Sequence, residues 1–448
     1  MPTPSRLLRA IPKDPWEVIS KAKFTKLSLD HIYSFARYAE APQHRTTALT
    51  VSAQFLHREL PVRLYQNLKL LQSPRWQRLI LASPALQRLG DRYAKDIQLL
   101  TTLDVPIPST SVAQLHDTLK IIRRRTRHHV ELARLGLTEA SAALQSCVNG
   151  PDGRTATPPR PHYPWNTLRR SLRVDQFFEH LYTLNLANQF LISEQIALAD
   201  CGSNLVTDIQ PIQVAQHTID EVLRTARDLM ASYGIHGVAP PEIHILAPPT
   251  LNATLYIEPC LRNILFTILL KAVTATISHH HHQVHVHNLG VANGSGKATN
   301  HYPAVTLTVV EGTEDISFKV SDEGGGMSLS KMQDVWRHTY RANLAGPSLQ
   351  LPTNPSAAPS PTAPCQLSPP AAVELPRCQL FGEPLNLPTA RLMARYFGGD
   401  INHVSMEGRG TDTYLHILRR KCFMETVPDT ALMTWEPTKS QYPQADEI

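Results

Sequence analysis

The sequence predicts an α+β fold, in which an N-terminal antiparallel four-helix bundle is followed by a sandwich of helices and strands. From about Leu27 to Ile209, apolar residues recur at i, i+3, i+4 and i+7, the period of an amphipathic helix. After Pro211, short alternating stretches rich in β-branched residues appear between helical segments. A chain of 448 residues is long enough for two domains, each with its own core.

The composition narrows the class of protein. Hydrophobic residues make up 42% and charged residues 18%, as in a globular rather than a disordered chain. No run of about 18 apolar residues indicates a membrane span. The net charge of +6 is spread along the chain and does not indicate nucleic-acid binding. The 6 cysteines form no C-x-x-C pair, which argues against a disulfide framework or zinc ribbon and favours a reducing compartment.

Four segments carry the helical period of the first half. They are HIYSFARYAE, AQFLHRELPVRLYQNLKLL, SVAQLHDTLKIIRRRTRHHVELARLGLTEA and VDQFFEHLYTLNLANQFLISEQIALA. Shorter links join them, so an antiparallel bundle is the expected packing. A stretch rich in Pro and Gly at 148–165 predicts a loop between the third and fourth helices.

The second half alternates between helix and strand. We predict strands at EIHILA, TLYI, AVTLTVVEG, DISFKVSDEG, INHVSMEG and TDTYLHILRR, with helices at 214–233, ILFTILLKAVTAT and LPTARLMARYFGG. The Pro-rich stretch 346–376 predicts a disordered insertion. The predicted domains are a helical domain at 25–210 and an α/β domain at 211–424, with a leader at 1–24 and a tail at 425–448.

A glycine turn follows one of these strands. Asp322 ends the strand, and Gly324, Gly325 and Gly326 come next, where glycine allows a sharp turn and close approach of a ligand. The Asp322 carboxylate is suited to accept a hydrogen bond from the amino group of a nucleotide base. An ordinary β-turn explains the pattern equally well. Thr411, in the turn GRGTD, is a second candidate ligand contact.

The N-terminus, MPTPSRLLRAIPK, carries three basic residues and no acid before Asp14. An acid-free start with arginines fits a mitochondrial presequence, and it fits an ordinary tail as well.

Several segments occur in the order found in one known family. FLHRELPVRL, IIRRRTRHHV, FKVSDEGGGM, LPTARLMARYFGGD and SMEGRGTDTYL, spread between about Leu27 and Arg420, resemble segments of the mitochondrial kinases that phosphorylate pyruvate dehydrogenase and branched-chain 2-oxoacid dehydrogenase. The resemblance implies a nucleotide-binding domain of the histidine kinase, gyrase and Hsp90 type after the bundle, with ATP as cofactor. It also implies the mitochondrial matrix, the E2 lipoyl domain and E1 subunit of a dehydrogenase complex as partners, and a homodimer or a heterodimer with an active kinase.

The chain departs from that family where the chemistry is done. The family's metal helix carries E-L-F-K-N, and its glutamate falls on Thr267 and its asparagine on Lys271 of NILFTILLKAVTAT. A threonine hydroxyl is too weak a base to accept a proton near neutral pH. A protonated lysine cannot ligate Mg²⁺ and repels it. Lys271 either reaches solvent or replaces the metal ion by meeting a phosphate directly.

The family's glycine-rich lid is changed as well. G-F-G-Y-G-L-P is replaced by Gly382-Glu-Pro-Leu-Asn-Leu-Pro388, so that Pro384 and Asn386 stand where glycines are expected. Proline lacks an N–H donor, and a side chain blocks the approach of phosphate to the backbone. Gly382, the first glycine of the lid, is kept as a candidate nucleotide contact, and the adenine side is retained in Asp322, Gly324, Gly326 and Thr411.

Two functions therefore stay open. One is a working 2-oxoacid dehydrogenase kinase whose missing groups come from elsewhere. The other is an inactive pseudokinase that binds the dehydrogenase core or a sister kinase.

Two histidine features are also candidates. The tract His279–His282, with His285 and His287, is predicted to follow the metal helix and enter a strand, either as a solvated connector or as a metal site. His128 lies near a family histidine that relays nucleotide state, and a solvated basic face is the other explanation.

Overall fold

The computed structural model describes residues 15–107, 109–146, 165–200, 202, 204–288, 301–340, 386–419 and 422–428. Several sequence predictions lie outside these residues: the loop at 148–164, the insertion at 346–376, Gly382, Pro384 and the tail from 429. The described chain mixes helices with a mixed sheet, which confirms the predicted combination of α and β structure.

The helices and strands follow one another in this order. In the first half they are α1 (Pro15–Lys21), α2 (Leu29–Glu40), α3 (Pro42–Gln72), a 3-10 turn (Pro74–Trp76), α4 (Gln77–Leu81), α5 (Pro84–Thr101), α6 (Ser109–Ser146) and α7 (Trp165–Asp200). In the second half they are β1 (Val206–Ile209), α8 (Pro211–Ser232), β2 (Ile243–Leu246), β3 (Thr254–Ile257), α9 (Glu258–Asn288), β4 (Val305–Glu311), β5 (Asp315–Asp322), α10 (Leu329–Asp334), α11 (Leu387–Tyr396), β6 (Asp400–Met406) and β7 (Gly410–Leu418).

The chain divides into two compact units. One comprises residues 1–25, 50–191 and 427–448, and the other comprises residues 26–49 and 192–426. Residues 26–49 and 192–210, which the sequence assigned to the helical domain, thus lie in the second unit. The compact units and the predicted domains therefore do not share their boundaries.

Buried amides and aromatic rings tie the helices of the first unit together. Asn67 of α3 donates to Asn185 of α7 at 2.9 Å and accepts from Asn188 at 2.9 Å. Tyr93 of α5 donates to Asn185, and Gln189 donates to Thr126 of α6. Each of these side chains has at least one partner, although Nδ2 of Asn185 has none among the residues that the structure describes.

The predicted set of four bundle helices was wrong in one member. HIYSFARYAE forms α2, but its residues lie in the second unit. The helical unit contains instead α5, which the sequence reading missed. Ser83 caps α5 by accepting from Leu86, and its buried stripe includes Leu86, Leu89, Tyr93 and Ile97. Whether α3, α5, α6 and α7 form a regular antiparallel bundle stays a prediction.

The predicted leader contains an ordered helix. Residues 15–21 form α1, Ile19 is buried, and the ring of Trp16 lies edge-on to Tyr65 of α3, with 6.5 Å between centroids. The segment from Pro15 onward is therefore packed on the helical unit. The presequence ending at residue 24 stays a prediction, and these contacts favour a shorter one.

A five-stranded mixed sheet organises the second unit. Its strand order is β2-β4-β5-β7-β6, with β2 and β4 parallel and the other neighbours antiparallel. Burial alternates along β4 and β5, so one face is apolar. A separate antiparallel pair joins β1 to β3. The sequence had predicted helix as far as Ile209, and strand β1 corrects that expectation.

Helix α9 is the core of the second unit. It contacts β5, α8 and α11, and Ile264, Leu265, Leu269, Val273 and Ile277 are fully buried. In the part of the chain that the structure describes, α9 is the one helix long and apolar enough to cross a membrane. Of its apolar segment, 83% is buried inside the protein. A core helix of a globular domain passes the same test when it is packed on most sides.

Candidate nucleotide site

The end of β5 and the start of β7 meet at Asp322. The two strands are antiparallel, and Asp322 is paired with Thr411. One carboxylate oxygen, Oδ1, accepts from the backbone N–H of Gly324 at 2.8 Å and from that of Thr411 at 3.3 Å. The other oxygen, Oδ2, has no hydrogen-bond partner among the residues that the structure describes. It is therefore available to a donor on a ligand.

The electrostatics of Asp322 are those of a half-buried acid. Loss of solvation raises its pKa to about 6, although the two backbone N–H donors favour the ionised form and act against this shift. Near neutral pH the carboxylate is ionised and accepts hydrogen bonds. A base carrying an amino group is a suitable partner for its free oxygen.

Close packing explains the glycines of this turn. A Cβ on Gly324 would lie 2.5 Å from Cβ of Ala275, and a Cβ on Gly326 would lie 1.9 Å from the carbonyl oxygen of Met406. Gly325 and Gly326 have φ of 78° and 63°, in the left-handed region. The glycines thus let the turn fit between α9 and the β6–β7 hairpin. Because packing alone accounts for the glycines, they are not evidence of a ligand, and Asp322 is the residue of this turn that supports one.

Thr411 is more enclosed than its sequence suggested. Its side chain is buried, and its hydroxyl shares a hydrogen bond with Ser405 at 2.9 Å. Ser405 also accepts from the backbone N–H of Met327 at 2.8 Å. Thr411 therefore stabilises the turn through Ser405, a residue that the sequence reading did not single out. A direct contact of Thr411 with nucleotide stays a prediction.

Helix α9 places Thr267 and Lys271 one turn apart. The Thr267 side chain is only 3% exposed, and its hydroxyl donates to the carbonyl oxygen of Asn263 at 2.8 Å. Lys271 is half-buried, and burial lowers the pKa of its ammonium group. No carboxylate within the described ranges forms an ion pair with it. That Lys271 reaches solvent and that it replaces the metal ion both stay predictions.

These residues do not fit a magnesium ion. Mg²⁺ takes oxygen ligands, and here the two expected positions hold a buried hydroxyl, committed to its own helix, and an ammonium group. In the described part of the chain, no group of three or more His, Cys, Asp or Glu could hold a metal ion.

Of the two lid positions where glycines are replaced, only Asn386 is described. Asn386 is the N-cap of α11, and its side-chain oxygen accepts from the backbone N–H of Thr389 at 2.9 Å and from its hydroxyl at 2.8 Å. The cap occupies a donor at the helix N-terminus that an anion would otherwise use. Gly382 and Pro384 lie outside the described residues.

The histidine tract continues the helix, so the predicted placement was wrong. Helix α9 runs to Asn288 and includes His279–His282, His285 and His287. His280 Nε2 lies 2.9 Å from the carbonyl oxygen of Glu323, and His279 packs where a Cβ of Gly325 would lie. The first histidines thus pack against the glycine turn, a role that a run of identical residues did not reveal.

His128 belongs to the helical unit and is exposed. Its Nδ1 lies 3.8 Å from Glu131 and 62% of its side chain is accessible. The neighbouring His129 is buried, with Nε2 3.4 Å from Oδ2 of Asp96. Asp96 also accepts from Arg125 at 3.0 Å. A regulatory role for His128 stays a prediction.

Comparison with known proteins relates the chain to one group of mitochondrial kinases. Residues 26–219 match the family model of the mitochondrial branched-chain alpha-ketoacid dehydrogenase kinase. A pyruvate dehydrogenase (acetyl-transferring) kinase of Arabidopsis thaliana is 25% identical over 91% of this chain and 93% of its own length. The corresponding mitochondrial kinase of Schizosaccharomyces pombe is 29% identical over 57% of this chain and 52% of its own. The human pyruvate dehydrogenase (acetyl-transferring) kinase isozyme 3 is 28% identical over 62% of this chain and 60% of its own length.

Helices precede a mixed sheet that has an aspartate and a glycine turn at one strand end, in keeping with a kinase-like ATPase fold. The family model and these relatives support the family of mitochondrial pyruvate dehydrogenase and branched-chain 2-oxoacid dehydrogenase kinases, which the sequence motifs indicated. In two of these three relatives, the match spans between half and two thirds of the relative's own length.

Proposed function

We propose that this chain is a nucleotide-binding regulator of a 2-oxoacid dehydrogenase complex that does not itself transfer phosphate. One observation carries the proposal: at the position of the family's general base stands Thr267, buried and hydrogen-bonded to Asn263. Its hydroxyl has neither the basicity nor the access to take a proton from a substrate serine. The family's chemistry has no replacement within reach on this helix.

The residues expected to contact the adenine base are retained, which supports nucleotide binding. Oδ2 of Asp322 is free to accept from an amino group, and two backbone N–H groups fix the carboxylate through Oδ1. A ligand held only at this end would bind without a metal ion. Recognition of an adenine nucleotide is the use of Asp322 that the family resemblance implies.

The names of the relatives support a proposal for the partner and the compartment. The relatives are mitochondrial kinases named for pyruvate dehydrogenase, and the matching family model is named for the branched-chain enzyme. We infer a mitochondrial matrix protein that binds the E2 lipoyl domain or E1 subunit of one of these complexes, or forms a mixed dimer with an active kinase. A large preformed protein surface can supply affinity without any catalytic group.

A working kinase is the second candidate. The match over 93% of the Arabidopsis thaliana kinase favours it. In that case the base and metal ligand come from residues other than Thr267 and Lys271. Phosphoryl transfer would then depend on Asp322, which orients the nucleotide in both cases.

Two measurements on the purified chain decide between the candidates. We expect dehydrogenase subunits or a sister kinase to be retained from mitochondrial matrix extract, equally with and without ATP. We also expect no radiolabelled phosphate on E1. Labelling of E1 that is lost in Asp322→Ala would establish the working kinase. Retention of neither a dehydrogenase subunit nor a kinase would remove the regulator.

A further inference from the structure

Lys271 lies on the face of α9 that meets the glycine turn. Ala275 and His279, one and two turns further on, lie against the positions of Gly324 and Gly325. Residues four apart share a helix face, and one turn separates their Cα atoms by roughly 6 Å along the axis. Side chains lean towards the helix N-terminus. Lys271 therefore extends along the same groove wall, away from Asp322 and the base end.

The charge on Lys271 is uncompensated. It is half-buried, and no ion pair joins it to a carboxylate in the ranges that the structure covers. Asp322 accepts hydrogen bonds from two backbone N–H groups through Oδ1. The hydroxyls of Thr267 and Thr274, before and after Lys271, each donate to carbonyl oxygens of α9. A partly buried ammonium without a counter-ion favours binding of an anion.

The position of Lys271 on α9, one turn before the residue that meets Gly324, identifies the anion. In a nucleotide held at Asp322 by its base, the phosphates are the charged groups that extend away from that residue. An ammonium group supplies three donors and one positive charge at a position where no metal ligand is available. The same charge repels a divalent cation, so the arrangement suits a nucleotide that carries no metal.

We propose that the Lys271 ammonium binds the phosphates of a metal-free nucleoside diphosphate or triphosphate, in place of the magnesium ion used by active kinases of the family. This inference rests on the proposed nucleotide binding at Asp322, and it names the group that binds the other end of the ligand. Lys271 is then a residue that binds phosphate, at the position where the family has its magnesium ligand.

Calorimetric titration of the full chain with adenosine and with ADP tests the inference. In EDTA, wild type should bind ADP at least about tenfold more tightly than adenosine, the worth of one charge-assisted hydrogen bond. Lys271→Met should abolish this difference and leave adenosine affinity unchanged. Lys331→Met removes an exposed lysine of α10 and serves as the matched control, with ADP affinity retained.

Lys271→Asn gives an independent arm. The amide is an oxygen ligand for Mg²⁺, so this variant should lose ADP affinity in EDTA and regain part of it when Mg²⁺ is added. Wild type should show no gain with Mg²⁺. Equal ADP affinity in wild type and Lys271→Met, or a Mg²⁺ requirement in wild type, would overturn the inference while nucleotide binding stands. Absence of binding by both adenosine and ADP would remove the proposed nucleotide function itself.

Discussion

The hydroxyl of Thr267 lies 2.8 Å from the carbonyl oxygen of Asn263, one turn earlier in α9. A threonine that bonds back to its own helix is satisfied locally and needs no ligand. Its side chain is also almost fully enclosed by the core of the second unit. The position that serves catalysis in the family thus serves helix packing here, so the fold tolerates the loss of the base.

Restoring the family residues on α9 should therefore not restore activity. In Thr267→Glu combined with Lys271→Asn, the new carboxylate enters a site where threonine is 3% exposed, so it loses solvation and its protonated form is favoured. Asn386 still caps α11 and occupies its N-terminal donor. We expect transfer of radiolabelled phosphate to E1 to stay at background, and the melting temperature to fall.

A general base is worth about 10²–10⁴ in rate, and groups of one site do not add independently. Clear turnover by the double variant would show that α9 alone limits activity. Lys271→Asn without the glutamate is the matched control for folding and metal binding.

The sequence located α9 but could not orient it. A helix that is buried on nearly every side has no polar stripe, so its period does not show which residues meet solvent. The enclosure of Thr267 and the half-burial of Lys271 depend on α8, α11 and the sheet, which pack around the helix. The family resemblance supplied the positions, and only the packing supplied their environments.

Other differences have similar causes. An amphipathic stripe shows that a helix packs without showing against what, which is why α2 was assigned to the bundle. Helix α5 did carry a signal, since Ser83 and Pro84 begin it and its apolar residues recur with helical spacing. Strand β1, at 4 residues, is too short to show a period of its own.

Asp322→Asn should stabilise the protein without ligand at neutral pH. The folded-state pKa of about 6 lies above the ordinary value of 3.8 for an aspartate, so the folded state binds the proton more tightly. The free energy of unfolding therefore falls as the pH rises from about 4 to 6, by up to about 3 kcal/mol, and stays reduced above that. The asparagine oxygen can still accept from Gly324 and Thr411.

Thermal unfolding of wild type and Asp322→Asn at pH 4.5 and pH 7.5 measures this effect. We expect the variant to gain most at pH 7.5 and little at pH 4.5, while its affinity for adenosine falls. An equal melting temperature for both proteins at pH 7.5 would contradict the raised pKa of the Asp322 carboxyl group.

Two glycines separate backbone strain from close packing. Gly326 has φ of 63° and a Cβ there would lie 1.9 Å from the carbonyl oxygen of Met406, whereas Gly408 has φ of 86° and open space around it. Gly408→Ala should cost about 1–2 kcal/mol for the left-handed backbone alone. Gly326→Ala should cost about 1–3 kcal/mol more, because the hairpin must also move. Urea unfolding of both variants gives the comparison, and equal losses would contradict the tight fit of the turn.

His129 should make the helical unit sensitive to acid. Burial lowers its pKa to about 3, since desolvation and the charges of Arg92 and Arg125 disfavour the imidazolium. Between that value and the ordinary histidine value of 6.5, the unfolded chain binds the proton and the folded chain does not. Stability from this group is therefore complete above pH 6.5 and is lost as the pH falls, by about 2 kcal/mol at pH 5.

The variant His129→Gln removes the titrating group, and it should lose less stability than wild type between pH 7 and pH 5. Comparing the two proteins cancels the contributions of other buried histidines, including His180, whose pKa is lowered to about 4. Asp96 acts in the opposite direction, because desolvation raises its pKa, so Asp96→Asn is measured separately. His128→Gln is the matched control, since His128 is exposed and should leave the pH dependence unchanged. The same acid sensitivity in wild type and His129→Gln would show that His129 can accept a proton from solvent in the folded state.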